Sequence, residues 1–299
     1  MINNKTADTT LARGLTLASI DHAGQTRVSQ KVRVTRFKKI FGPLPSQVSV
    51  IWLTLQTTPI ERARLFRSQS TDKGFDHLLM TLYFLKGYGL EESIASRFGV
   101  HEQTLRKWID IFSSKLAALM PQFVKWPDDN EWDTTFIISV DCINFGTNEP
   151  HHKTLHKDKK MFDRKNGKAG LTYEVALHLW ENRVVCFNGG YPPNDGGDRA
   201  IFVEKGLNDK IPDGKKAIAD KIYTGLMKIA LHNSLDCPKV REFKGRARSR
   251  QESINARLKS YGILGQRFRH KIFKHQMFAQ AVMVICIIAM ENGSPLFSV

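Results

Sequence analysis

The chain has 299 residues, with 45 lysines and arginines against 29 aspartates and glutamates, a formal net charge of +16 and a pI near 9.7. That length accommodates a full core and about two domains, and that charge favours a polyanionic partner, nucleic acid first. The mean hydropathy of −0.31 and an apolar run that lasts only from Ala281 to Met290, short of the roughly 18 residues a span requires, argue against a membrane.

Four cysteines, Cys142, Cys186, Cys237 and Cys286, lie far apart, without the paired spacing of a zinc finger or a disulfide framework. This usage fits a reducing compartment. Residues 1–42 carry Thr, Asn, Ser and Gly with scattered apolar residues and close on Arg33, Arg36, Lys38 and Lys39. Such a composition predicts a flexible basic arm. Asp8 and Asp21 count against reading it as a transit peptide.

Residues 43–127 read as a helical domain, with helical periodicity from Val48 to Met120. Within it, Leu90 to Asp110 has the form of a helix-turn-helix. Ile94 and Phe98 would bury one short helix, Gly99 would permit the turn, and Leu105, Trp108, Ile109 and Phe112 follow at i, i+3, i+4 and i+7. The outer face of the second helix then offers Gln103, Thr104, Arg106 and Lys107 to base edges and phosphates of double-stranded DNA. A plain helical bundle with a polar surface is the alternative. Pro121, Pro127 and Asp128-Asp129-Asn130 mark a boundary.

Residues 128–299 change period. Thr135 to Val140 reads as a buried strand that delivers Asp141 at its C-terminal edge, and Leu171 to Trp180 alternates, with Glu174 and His178 opposite the apolar face. A turn at Glu181-Asn182 leads into Arg183 to Phe187, giving an antiparallel hairpin. Asp198 is placed to cap a helix running through Ile201, Phe202 and Leu207, and Lys216 to Asp220 is a second short strand ending in a carboxylate. Ser249 to Tyr261 reads as a helix that buries Ile254, Leu258 and Tyr261 and carries Glu252, Asn255 and Lys259 on another face, with Arg248 one turn earlier. The helix from about Phe273 to Glu291 reads as a buried packing helix. Between Glu149 and Lys160, His151, His152 and His156 could bind metal, but no spacing fixes them on one face, and a solvated loop near DNA is the preferred reading.

Asp141, Asp220 and Glu252 therefore stand as three acids on separate elements, the arrangement that two-metal phosphodiester chemistry requires. Hard oxygen ligands favour Mg²⁺, with Mn²⁺ as a substitute. Acids at strand ends are common in α/β proteins, so the triad alone is weak evidence.

Six motifs in order add to it: Ile138-Ser-Val-Asp141, Asn148-Glu-Pro150, Leu171 to Leu177, Asp198-Arg-Ala-Ile-Phe202, Ala219-Asp-Lys-Ile-Tyr223 and Arg250 to Lys259. Together they resemble the Harbinger-type DDE superfamily endonucleases. The resemblance implies an α/β chain, with a ribonuclease H-like mixed-sheet catalytic domain preceded by an all-α helix-turn-helix domain. It implies a metal-dependent transposase in which water attacks a terminal phosphodiester and the freed 3′ hydroxyl attacks target DNA. Asp141, Asp220 and Glu252 correspond to the family triad, while Asp198 corresponds to a further acid, ranked as a cap and support above a direct metal ligand. Arg248, Asn255 and Lys259 would position the scissile phosphate. A Myb-like partner protein, a homo-oligomer when active and, for a eukaryotic source, a nuclear location complete the expectation. Cys142 to Phe145 and Ile222 depart from the family pattern, and Ile222 in a turn that usually holds Gly predicts strain near Asp220. A decayed transposase that only binds DNA is the competing expectation.

Overall fold

The computed structural model describes residues 5–19, 28–57, 71–128, 132, 134–148, 159–164, 167–233 and 235–299. It is mixed α/β and divides into two compact units: Met1–Met120 with Ser260–Ile263 and Met277–Ser294, and Pro121–Lys259 with Leu264–Gln276 and Pro295–Val299. The first unit takes in residues Met277–Ser294 of the C-terminal helix, which the sequence reading placed with residues 128–299.

In the first unit, α1 (Ala7–Leu17) and α2 (Gln30–Phe41) stand where a flexible arm was expected. Leu11 and Leu15 in α1, and Phe37 and Phe41 in α2, recur at i and i+4 and are buried. Mean composition hid this narrow apolar stripe, which is enough to dock a short helix. Thr10 and Ser49 hydroxyls meet at 2.9 Å, tying α1 to α3 (Pro45–Thr57). α4 (Thr71–Gly87) follows, then α5 (Glu91–Arg97) and α6 (Glu102–Ala118). The turn between α5 and α6 places Gly99 at φ +62°, a left-handed conformation that side chains beyond glycine adopt at a cost. Ile94, Leu105, Trp108, Ile109 and Phe112 are buried as their spacing predicts.

The C-terminal helix corrects the hydropathy reading. Residues Ile272–Glu291 form a helix of 20 residues, long and apolar enough to cross a membrane, although 61% of its most apolar window is buried within the protein. A lipid-facing helix would expose those side chains, so burial points to a core helix. Its last carbonyls are satisfied in the manner a soluble helix end requires: Gln47 Nε2 donates to Asn292 O at 2.9 Å, and Ser294 N donates to Ala289 O at 3.0 Å.

The second unit opens with the single helical turn α7 (Met120–Phe123) and then builds a six-stranded mixed sheet. Its strands are β1 (Phe136–Gly146), β2 (Phe162–Asp163), β3 (Lys168–His178), β4 (Val184–Tyr191), β5 (Lys216–Ala219) and β6 (Ile229–Leu231). The path runs β2-β3-β1-β5-β6, with β4 also paired to β3. β3 is antiparallel to β1 and to β4, whereas β5 is parallel to β1 and β6 is parallel to β5. Two helices follow β4, α8 (Gly197–Glu204) and α9 (Leu207–Lys210), and α10 (Pro238–Lys259) crosses the opposite face. Phe202 and Tyr223 pack with Ile138, Val140 and Ala176 on one side, and Ala247 packs with Leu179 and Ile218 on the other. Because helices cover both faces, Glu174 and His178 are buried along with the apolar residues between them. The face that carries Glu174 and His178 is therefore covered as fully as the apolar one.

Candidate functional site

Asp141 does not end its strand. β1 continues five residues further because β3 pairs with it as far as Gly146↔Gly170. The parallel neighbour stops earlier, with Ser139 opposite Ile218 as the last paired couple and Ala219 as the last residue of β5. Asp141 and Asp220 each lie two residues past that couple, so parallel register brings them to one level of the sheet.

The two carboxylates, together with Asp198 and Glu252, line one open pocket of about 250 Å³. Asp141 Oδ1 accepts from the Cys142 amide at 2.9 Å, and Oδ2 accepts from Asn255 Nδ2 at 2.9 Å. Burial first, then the Asp198 charge and more weakly Asp220, push the Asp141 carboxyl up to about 6, against those two hydrogen bonds. Asp220 is exposed, caps the turn Lys221–Tyr223 by accepting from the Lys221 amide at 2.6 Å, and faces Arg248 Nη2 at 3.6 Å. Ile222 sits in that turn without a left-handed backbone, so the expected strain is absent; its side chain is 57% exposed at the pocket edge.

Glu252 reaches the pocket from α10, and Gln251 beside it fixes that helix. Gln251 Oε1 accepts from Ser139 Oγ at 3.0 Å while its Nε2 donates to Val175 O at 3.0 Å, bonding α10 to β1 and β3 at once. Arg250 is buried and donates to the carbonyls of His178 and Glu181, so it anchors the β3–β4 turn. Arg248 lines the pocket; Lys259, expected beside the scissile phosphate, lines a different one with Asn144 and Lys168.

Asp198 differs from its expected place. Gly196, not Asp198, is the N-cap of α8, and the helix ends at Glu204, before Leu207. Asp198 lies in the first turn, where the helix dipole favours a carboxylate, and its charge raises Asp141 more than that of Asp220 does. Glu174 was not anticipated as a site neighbour. It is fully buried, neither carboxyl oxygen has a hydrogen-bond partner, and burial with the Asp198 charge pushes it up to about 8 against the pull of Lys210. Its only sequence signal was an acid inside a strand that reads as apolar.

Among the described residues, no group of three His, Cys, Asp or Glu side chains is placed to hold a metal ion. The four carboxylates share a pocket but do not form a closed ligand cage. His151, His152 and His156 lie outside the described residues.

In the first unit, Gln103, Arg106 and Lys107 are exposed and Thr104 is half-buried. Arg106 is not presented freely: its guanidinium pairs with both Glu91 and Glu102. Lys107 Nζ lies 5.8 Å from the centre of the Trp108 ring.

No family model matches the chain, and no solved structure matches it. It is similar to a probable transposase for insertion sequence element IS702 from Microchaete diplosiphon, with 23% identity over 218 residues, 66% of this chain and 73% of that protein. The chain is a distant homologue of that transposase.

Proposed function

We propose that this chain is a DNA transposase of the DDE type, which cleaves and joins phosphodiesters with Asp141, Asp220 and Glu252. The observation that carries the reading is the one pocket lined by these three acids and Asp198, residues drawn from the middle of β1, the end of β5 and two helices. The distant transposase homologue supports the same activity class. Three further features support the ribonuclease H-like and Harbinger-type form of it: the antiparallel β4-β3-β1 sequence continued by parallel β5 and β6, the helix pair around Gly99, and the ordered motifs.

The donor set suits a hard cation. Burial first, and then the neighbouring carboxylates, raise Asp141, a cost that a bound cation relieves, and Mg²⁺ is usually held by one or two carboxylates with water and substrate phosphates, so a closed protein cage is not required. Asp141 with Asp220 or Asp198, and Glu252 across the pocket, would hold it. A divalent cation there supplies Lewis-acid activation and neutralises developing charge. Asn255 orients the Asp141 carboxylate, Gln251 holds the turn that carries Glu252, and Arg248 offers positive charge to a phosphate beside Asp220. Gln103, Thr104 and Lys107 serve as the duplex contacts. A homo-oligomer and a Myb-like partner belong to the same proposal.

One observation favours the second reading, a DNA-binding protein that has lost cleavage: among the described residues, no three acids are arranged as a ready ligand group. Incubating the purified full chain with supercoiled plasmid in Mg²⁺, Mn²⁺, Ca²⁺ or EDTA separates the two. Cleavage predicts nicked product in Mg²⁺ or Mn²⁺ alone, whereas binding without nicking in any of the four supports the decayed form.

A further inference from the structure

A second pocket in the sheet unit, about 100 Å³, is lined by Lys168 at the start of β3 and Lys259 at the end of α10, with Asn144, Gly146 and Asp163 beside them. Both lysines are exposed, and among the described residues neither is in an ion pair. The Lys168 ammonium packs closely over Gly146, where an added Cβ would stand 3.3 Å from Nζ and 3.1 Å from Cε. Asp163 is the opposing charge. It is buried, and its Oδ2 accepts from Asn144 Nδ2 at 2.9 Å, while Asn144 Oδ1 accepts from the Thr172 hydroxyl. Two cations against one bonded carboxylate leave the pocket net positive.

Its place relative to the carboxylate pocket follows from two independent rulers. Along β1, the Asn144 backbone is three residues beyond Asp141, about 10 Å at ~3.4 Å per residue; its side chain lies on the other side of the pleat, so this step measures distance along the strand alone. Along α10, Lys259 is seven residues beyond Glu252, about 10 Å at ~1.5 Å per residue and nearly on the same helix face. Strand and helix therefore lead from one pocket to the other in parallel. A nucleic-acid strand rising ~3.4 Å per nucleotide covers that interval in about three nucleotides.

We infer that the Lys168–Lys259 pocket is a phosphate subsite that holds the backbone of the DNA strand about three nucleotides from the bond at the carboxylate pocket. The inference rests on the proposed cleavage reading for its register, but its binding chemistry is independent of catalysis. Lysine acts here as a compact point charge to a phosphate oxygen, and Asn144 holds Asp163 away from the anion.

The test measures binding of a fluorescein-labelled 30-base-pair duplex by anisotropy across a series of salt concentrations. The proteins are the wild-type full chain, Lys168→Gln, Lys259→Gln, the double variant, the double arginine variant Lys168→Arg/Lys259→Arg, and Lys239→Gln as an exposed control. Each phosphate neutralised contributes about 0.9 to the slope of log affinity against log salt. The double glutamine variant is expected to lose close to two such contributions, the arginine variant to restore them, and the control to match wild type. A double-variant slope equal to that of Lys239→Gln overturns the subsite, as does a loss shared by the arginine variant, which would mark a folding defect. Plasmid nicking, run on the same samples, separates this inference from its premise. If the wild type never nicks but the double glutamine variant loses slope, the phosphate pocket stands and the cleavage reading goes; if the wild type nicks and the double variant keeps the wild-type slope, the reverse holds.

Discussion

The carboxylate pocket and the α5–α6 helix pair were read from the sequence by the same kind of argument, yet the side chains behave differently. In the sheet unit, Asp141 and Asp220 are delivered by backbone register: Ser139 pairs with Ile218, and whatever follows on each strand must emerge together. In the helix pair, periodicity fixes which residues are buried, and Leu105, Trp108 and Phe112 comply. It does not fix what an exposed side chain does, and Arg106 turns back onto Glu91 and Glu102. Ladder geometry constrains side-chain position to within a residue; an exposed arginine with several rotatable bonds takes the nearest carboxylates.

The largest effect that would break this contrast is at Asp141. Asp141→Asn keeps the strand and the Asn255 neighbour but removes a cation-binding charge, and nicking is expected to fall by orders of magnitude while the melting temperature at neutral pH stays equal to or rises above wild type. Retained nicking would show that register brought the acid to the pocket without employing it.

Glu174 is the next test, because it is the acid that the sheet buries without a partner. Its folded pKa, about 8, stands above the usual carboxylate value of 4.5. The folded state therefore holds a proton that the unfolded state releases, and stability falls as pH rises from about 4.5 to about 8. The slope approaches about 1.4 kcal/mol per pH unit at its steepest. Asp141, raised to about 6, adds in the same direction over the lower part of that range. Glu174→Gln is expected to match wild type near pH 5, exceed it near pH 9, and flatten the dependence, as read from urea midpoints at both pH values. Parallel profiles for the two proteins would contradict it.

The smallest effect is expected at Arg106. With its guanidinium held by two carboxylates, Arg106→Ala should barely change the salt slope of DNA binding, whereas Lys107→Ala should lower it by about 0.9, one phosphate contact. Equal losses would mean that the ion pairs open on DNA and that the helix face works as the sequence suggested.

Legibility followed the same division. Strands β1, β3, β4 and β5 and the glycine turn were readable because each depends on local period or on a residue type with one role. Asp141 was misplaced at a strand end because the sequence shows where apolar residues stop, not how far a partner strand extends pairing. Asp198 was read as a cap, although Gly196 takes that position and leaves the carboxylate facing Asp141. Helices α1 and α2 were lost in an averaged composition, and the C-terminal helix was judged by its longest apolar run when its whole length mattered. Gln251, which bonds two strands, and Lys168, in the second pocket, carry no signal in the sequence, since their roles exist only once α10 lies on the sheet.

The central claim is that Glu252 acts with Asp141 and Asp220 on one phosphodiester, and Glu252→Gln tests it most directly. Single-turnover nicking in Mg²⁺ and duplex binding in Ca²⁺ are measured on the same preparation. The account predicts cleavage reduced by orders of magnitude with affinity equal to or above wild type, because one negative charge facing the phosphates has gone. Cleavage within a few-fold of wild type would contradict it, and would leave Glu252 as an exposed acid on a basic helix.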